Sequence, residues 1–306
     1  MWAFTVRRLL LTVPVLLGVA TLVFSLLHLV PGDPAQAMMG EAAAASDVAE
    51  LRARLGLDRP ITTQYVDYLA GLIHGDLGTS FRFGTPVARE LGSRLARTLE
   101  LALAAMTVAI AIAVPLGVLG ALFRGRAVDH AAMTLALAGI AMPNFWLGPL
   151  LAIVFSVKFG WLPVSGAGSW QHLVLPAVTL GAALAAILAR MTRASLIEEL
   201  RELYVLAARA RGLSETRTIV RHALRNSLIP VVTIIGLQFG AVLTGTIITE
   251  TIFAWPGVGR LLIQAISFRD YPLVQGCILF IAVVYVGMNL VVDLLYGWLD
   301  PRIRLA

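Results

Sequence analysis

LLLTVPVLLGVATLVFSLLHLV, residues 9–30, holds no Asp, Glu, Lys or Arg in 22 consecutive positions, and His28 is its one ionisable side chain. A helix needs about 20 apolar residues to cross the hydrocarbon core of a bilayer. Arg7 and Arg8 before the run and Ala35-Gln36-Ala37 after it imitate a secretory signal. The apolar core of such a signal is only about 7–15 residues long, so Leu9–Val30 reads as an uncleaved anchor.

The same reading, carried outward, finds five further spans: Leu101–Leu122, Ala131–Val157, Leu173–Leu188, Leu228–Ile248 and Leu273–Val292. Pro143 interrupts the third, and the fourth is short unless Ala189 and Met191 extend it. Over 306 residues, 58% are hydrophobic and 14% charged, with a mean hydropathy of +0.84. A soluble domain carries about a quarter charged residues, and here the deficit falls in blocks. The expectation is an all-α polytopic membrane protein with six transmembrane helices. Cys277 is the sole cysteine, so an intrachain disulfide and a Cys-based zinc site are both excluded.

Six spans put both termini on one side, and the short-loop arginines choose which. Arg7 and Arg8 precede the first span, Arg124 and Arg126 follow the second, and Arg302 and Arg304 follow the sixth. Arg193, Arg201, Arg209, Arg211, Arg217, Arg221 and Arg225 separate the fourth and fifth. The short opposite loops hold Lys158, Arg260 and Arg269. Both termini are therefore expected in the cytoplasm. The net charge of +6 sits at span ends and calls for no nucleic acid. The chain then divides into residues 1–30 with the first helix, an external segment 31–97, and a five-helix core 98–306 that includes a cytoplasmic loop 192–226.

In the external segment, Pro31-Gly32-Asp33-Pro34 is a turn signal. Asp47–Leu55 has a helical pattern with Ser46 as N-cap. Pro60 fits the first turn of a second helix, with Tyr65, Tyr68, Leu69 and Leu72 at apolar spacing, and Gly75-Asp76-Leu77-Gly78 breaks it. Such a helical cap either packs on the outer span ends or docks a soluble partner.

In the cytoplasmic loop, Ser195–Arg211 reads as a helix continuing from the fourth span, stopped by Gly212. Ser214 caps a second short helix whose apolar pairs are Ile219 with Ala223 and Val220 with Leu224. An apolar face with basic flanks needs a partner or the lipid interface to cover it. Small residues at Ala207, Ala208 and Gly212 would let another protein approach closely.

Tyr204-Val205-Leu206-Ala207-Ala208-Arg209-Ala210-Arg211-Gly212-Leu213, followed by His222-Ala223-Leu224-Arg225-Asn226-Ser227-Leu228-Ile229-Pro230, resembles the coupling loop of peptide-type binding-protein-dependent ABC importers. These are the dipeptide, oligopeptide, nickel and glutathione permease subunits. Pro31-Gly32-Asp33-Pro34, Gly160-Trp161-Leu162-Pro163, Trp255-Pro256-Gly257-Val258-Gly259 and Arg269-Asp270-Tyr271-Pro272 match in family order over nearly the whole chain. In the broader importer signature, Leu206 stands where the family has an acid, and His222 and Arg225 replace its Ile and Pro. Leu203 stands where an Asp is frequent before Tyr204, and Leu206 and Ala207 replace a frequent Arg and Thr.

The resemblance implies a type I importer permease in the bacterial inner membrane, working by alternating access. It implies a homologous second permease, two ATP-binding subunits and an extracytoplasmic binding protein, with ATP and magnesium on the ATPases and no cofactor on this chain. The implied coupling residues are Tyr204, Leu206, Ala207, Ala208, Arg211, Gly212, Leu213, Ser214, His222 and Leu224. The implied cargo is a short peptide. Ser169-Trp170-Gln171-His172 and Ala189-Arg190-Met191-Thr192-Arg193-Ala194-Ser195 look closer to the glutathione and dipeptide branch than to the nickel branch.

Rival functions lack their residues. Lys158 is the only lysine and follows no Gly-rich loop, so no P-loop exists. An intramembrane protease would need a Gly-x-Ser-x-Gly elbow, a His-Glu-x-x-His helix or paired intramembrane aspartates, none of which occurs. A passive channel would need a ring of charge or a carbonyl filter. Polar residues within the spans are costly and mark candidate pathway positions. Here they are Asn144, Gln238, Glu250 and Asn289, with Asp293 beyond. The bland alternative for each is a hydrogen bond between helices.

Overall fold

A computed structural model of the chain describes residues 2–29, 33–40 and 43–299, with side chains except at 2–5, 27, 243–245 and 292–299. Val30, Pro31, Gly32, the Asp293 side chain, Arg302 and Arg304 lie outside the described residues. Among those described, the regular structure is helical, with one isolated bridge between Thr79 and Pro86.

The apolar stretches become α1 (Trp2–Leu29), α5 (Val87–Leu122), α8 (Gln171–Glu199), α11 (Leu224–Ile252) and α13 (Tyr271–Leu299). The third differs from expectation. α6 (Ala127–Ala141) and α7 (Asn144–Leu151), which runs into a π-helical turn at Ala152–Lys158, meet at 102°. Proline drives the preceding residue out of the helical region, and Met142 is extended at φ −98, ψ 117. Among the described residues five helices are long and apolar enough to span, and six spans result if the bent pair is one. Pro115 and Pro176 sit inside α5 and α8 without ending them. α8 is 29 residues long, so the shortness expected of the fourth span disappears.

Two units make up the chain: Met1–Thr98 with Pro256–Ala306, and Leu99–Trp255. In the first, α1 packs on α13, and the Gln275 amide donates to the Val23 carbonyl (3.1 Å). The segment expected to be external folds as α2 (Pro34–Met39), α3 (Ala45–Arg54) and α4 (Ile61–Ile73). Ala35, Met38, Val48 and Leu51 make its small core. Ser46 is not the N-cap of α3; that position is Ala44, and Ser46 bonds to Asp47 instead. Pro60 stands at the N-cap of α4, and the helix ends before Gly75, which takes φ +76. α5 begins at Val87, so residues 87–97 of the segment read as external loop are already helical.

Asp270 organises this unit. It is completely buried. Its carboxylate accepts from Ser80 Oγ (2.6 Å), the Arg82 N–H (3.0 Å) and the Leu273 N–H (3.2 Å). One charged group thus caps α13 and clamps the tight loop around Thr79–Pro86. Nearby, α12 (Val258–Ser267) buries Val258, Leu261, Leu262 and Ala265, and the Val258 N–H donates to Thr98 Oγ1 (2.9 Å).

In the second unit α8 is the axis, packed against α6, α7 and α11. Lipid is as apolar as leucine, so helices in a membrane associate through close packing and small residues. A β-carbon at Gly181 would meet the Ala105 carbonyl at 2.7 Å, and one at Gly117 would meet Thr192 Cβ at 2.6 Å. One at Gly139 would collide with the Ala182 backbone. Trp255, fully buried, fills the space among Leu101, Ala105, Ala177 and Leu180.

Gly139→Ala should therefore lower the thermal midpoint of the detergent-solubilised protein by several degrees, since backbone cannot yield as a flexible side chain does. Gly18→Ala, at a helical position with nothing within 4 Å, should be neutral or stabilising by up to ~1 kcal/mol, the helix-propensity difference between Gly and Ala. Equal effects of the two substitutions would contradict the packing account.

Candidate coupling segment and intramembrane polar residues

The segment after α8 is more firmly built than its sequence implies. α8 ends at Glu199, and Leu200-Arg201-Glu202 breaks the helix expected to run on to Arg211. Glu202 takes an extended conformation (φ −67, ψ 146) and starts α9 (Leu203–Ala210). The inner face of α9 is anchored: Val205 is fully buried with Ala121, Leu196 and Ala223, flanked by Val118, Ile197 and Leu200. The Tyr204 hydroxyl donates to the Glu199 carboxylate across the break. Partial burial and that carboxylate push the phenol up to about 12, so it stays a donor at physiological pH.

Gly212 ends the element at φ +77, a left-handed conformation open to glycine without steric cost. The Gly212 N–H donates to the Arg209 carbonyl (2.9 Å) and the Leu213 N–H to the Ala208 carbonyl (3.3 Å). Arg209 then grips Glu215 through two nitrogens (3.0 and 2.6 Å), closing the turn. Ser214 is the N-cap residue of α10 (Glu215–Thr218), but its side chain makes no capping bond. The second short helix is not separate: α10 passes through a π-helical turn at Ile219–Ala223 directly into α11. Ile219 and Ala223 share one face of this turn, and both are buried.

The ten predicted coupling residues divide by exposure. Tyr204, Leu206, Ala207, Arg211, Gly212 and Ser214 are exposed, while Leu213, His222 and Leu224 are half-buried. Ala208 is buried inside the chain itself, so it supports α9 and does not offer it to a partner. A β-carbon at Gly212 would meet nothing within 4 Å, so the constraint there is backbone conformation. Leu203 is 80% and Leu206 49% exposed. With Tyr204 and Ala207 they form an open apolar face on a rigidly seated helix.

An ion pair that sequence reading passed over lies just upstream. Arg193 holds Asp129 with Nε and Nη2, each at 2.7 Å, and Asp129 also accepts from the Gly125 N–H (2.9 Å). The Asp129 side chain is 5% exposed. A bidentate, mostly buried pair fixes orientation as well as distance. It pins α8 to the first turn of α6 less than two helical turns from the Glu199 break. The available signal was a lone acid at the start of an apolar run, which seldom stands without a partner.

The four pathway candidates do not form one cluster. Asn144 is half-buried at the first position of α7. Gln238 is buried in mid-α11, and neither amide atom has a hydrogen-bond partner among the described residues. Glu250, wholly buried, lies twelve residues further along the same helix, about 18 Å of rise. Asn289 belongs to the other unit and lines a 270 Å³ pocket with Arg8, Thr12 and Tyr285 between α1 and α13. Among the described residues no three His, Cys, Asp or Glu side chains converge as metal ligands would.

Known proteins carry the same pattern. Residues 113–305 match the family described as binding-protein-dependent transport system inner membrane component. Residues 1–102 match the family described as the N-terminal part of such membrane components. The chain is 46% identical over 301 residues, 98% of each chain, to the glutathione transport system permease protein GsiC of Salmonella choleraesuis (strain SC-B67). The same identity and coverage relate it to GsiC of Escherichia coli (strain K12). Its fold resembles a chain of the inward-facing MetNI methionine ABC transporter, with TM-score 0.57 at 18% identity, over 69% of this chain and 96% of that one. A chain of an amino acid ABC transporter crystallised with histidines aligns with TM-score 0.51 at 18% identity, over 70% and 94%. The chain belongs to the family of binding-protein-dependent transport system inner membrane components.

Proposed function

We propose that this chain is a permease subunit of an ATP-driven importer that moves short peptides of the glutathione or dipeptide kind across the bacterial inner membrane. The observation that carries the reading is the 46% identity to glutathione permease proteins along 98% of both chains. A nickel or other small-solute cargo is the second reading within the same family.

In this reading the chain supplies part of the pathway. A homologous second permease supplies the rest, two ATP-binding subunits dock inside, and a binding protein delivers cargo outside. ATP chemistry belongs to the ATPases, because this chain has no phosphate-cradling loop. The exposed face of Leu203, Tyr204, Leu206 and Ala207 is what an ATPase groove would take, with Arg211, Gly212, Leu213 and Ser214 shaping its rim. His222 and Leu224 back the segment. Motion received by α9 passes through Val205 and the Tyr204–Glu199 bond to α8, and through the π-helical turn to α11. Gln238 is the pathway candidate with most support, because a buried amide without partners costs roughly 1–3 kcal/mol per group. A passing peptide or a moved helix would satisfy it. Asn144 and Glu250 join it as proposed pathway positions; Asn289 is the weakest of the four.

Both termini and residues 192–226 are cytoplasmic in this reading, and the cap of α2 to α4 is external. Cysteines introduced at Ala44 and Ser214, in a Cys277→Ala background, should react with an impermeant maleimide from opposite faces of sealed vesicles. Reaction of both from the same face would overturn the orientation.

Reconstituted with its partners, the complex should take up labelled glutathione into vesicles only when ATP is on the ATPase side. Leu206→Asp places a charge in the proposed contact and should reduce uptake about 30-fold, the scale of losing a 2 kcal/mol interface anchor. Gly212→Val should impair uptake comparably without preventing insertion, because a β-branched residue resists φ +77. Ala208→Asp should instead reduce folded yield, because the site is internal. ATP-independent uptake, or full uptake by Leu206→Asp, would remove this face from the mechanism. Uptake of nickel but not of glutathione would favour the second reading.

A further inference from the structure

We propose that α4, within the external cap, lies in the outer leaflet of the inner membrane and seats phospholipid acyl chains in the groove beneath it. The helix is held against α1 at a defined depth. Tyr65 Oη and Thr21 Oγ1 are 2.7 Å apart, His28 Nε2 and Gln64 Oε1 are 3.3 Å apart, and the Tyr65 ring meets Phe24 edge-on at 5.2 Å. These α1 residues lie in its outer half. Further along α4, its side chains reach deeper. Leu69, Leu72 and Ile73 line a groove of about 530 Å³ together with Val13, Leu17 and Phe280, and every side chain lining it is apolar. Val13 and Leu17 are in the middle of the apolar run Val6–Leu26, and Phe280 is in the middle of Tyr271–Val291. A cap standing clear of the membrane would not share a groove with mid-span residues.

The polarity of α4 fits a helix that dips into the leaflet alongside α1. Val66 and Ile73, seven residues apart and so on one stripe, are 62% and 83% exposed. Gln64 is about half a turn round the helix from Ile73. Its amide donates back to the Leu57 (3.2 Å) and Arg59 (2.8 Å) carbonyls, while Asp67 pairs with Arg59 (2.7 Å). The polar stripe is thus tied to the cap, which fixes the roll of the helix and turns Val66 and Ile73 outward. An apolar stripe opposite a polar one tied to the cap is what a helix needs when acyl chains cover its outer face. The groove is continuous with the lipid-facing sides of α1 and α13, so its natural occupant is an acyl chain. A soluble docking partner would meet a surface with no polar group to set its register.

The proposal rests on the orientation above only for which leaflet is named. The test is spin-label accessibility on the assembled transporter in nanodiscs of phosphatidylethanolamine and phosphatidylglycerol. Labels go on Val66→Cys, Ile73→Cys and, as a cap control, Arg54→Cys, each in the Cys277→Ala background. Labels at positions 66 and 73 should collide with oxygen severalfold more than with a water-soluble nickel chelate, and the label at 54 should show the reverse. This ratio reports depth whichever side is outside, so a failed topology assignment would leave it unchanged. Chelate access at 66 and 73 equal to that at 54 would overturn the proposal. So would exclusion of both quenchers, or chelate access abolished by adding the extracytoplasmic binding protein, because protein would then cover the face.

Discussion

Within a bilayer, apolar burial no longer distinguishes a helix packed on protein from one packed on lipid. What remains is how closely backbones approach. In the second unit that constraint runs along α8. Gly117, Gly139 and Gly181 mark places where a single methyl group would strike a neighbouring helix. The alanines Ala185, Ala186 and Ala189, all buried, continue the same thin surface. Because α8 is gripped along its length, displacement at one end should appear at the other with little lost to bending. The fold's capacity for coupling depends on this tight axis more than on any polar contact.

Two polar devices then fix the ends that packing alone would leave loose. Asp129 and Arg193 lock α8 to the first turn of α6, and Asp270 clamps the start of α13 to the loop around Thr79–Pro86. Each is a buried carboxylate satisfied by several donors, the arrangement that makes a buried charge tolerable. Beyond the first of these pins, α9 is seated by Val205 on the ends of α5 and α8. The break at Leu200–Glu202 therefore changes the direction of the chain while Val205 stays packed on both helices.

Much of this was legible in the amino-acid pattern. Apolar runs located the spans, Pro143 located an interruption, and Gly212 located a left-handed turn, because each rests on local chemistry. The 102° bend was not legible, since proline marks a break without specifying its angle. Nor was the π-helical turn at Ile219–Ala223, because i,i+4 apolar pairs look the same whether the helix ends or widens. Ala208 illustrates a different limit. On a short helix small residues face both inward and outward, and composition does not say which side touches a partner. Arg193 counted in the sequence as a topology charge, and only the fold brings Asp129, 64 residues away, into its fork. The Arg269-Asp270-Tyr271-Pro272 motif likewise acquires its physical meaning once Ser80 and Arg82 are beside it.

On the proposed coupling route, α9 and α8 move as one body when the ATP-binding subunits push. The test is double electron–electron resonance between labels on Ala210→Cys and Arg190→Cys, in a Cys277→Ala background, through the nucleotide cycle of the complex. Both positions are exposed, and they lie on either side of the Leu200–Glu202 break. A rigid pair gives a single narrow distance distribution that stays in place between nucleotide-free and ATP-bound complexes, while distances measured across the spans shift. A distribution that broadens or moves with ATP would show a hinge at the break and contradict rigid coupling through Val205 and Tyr204.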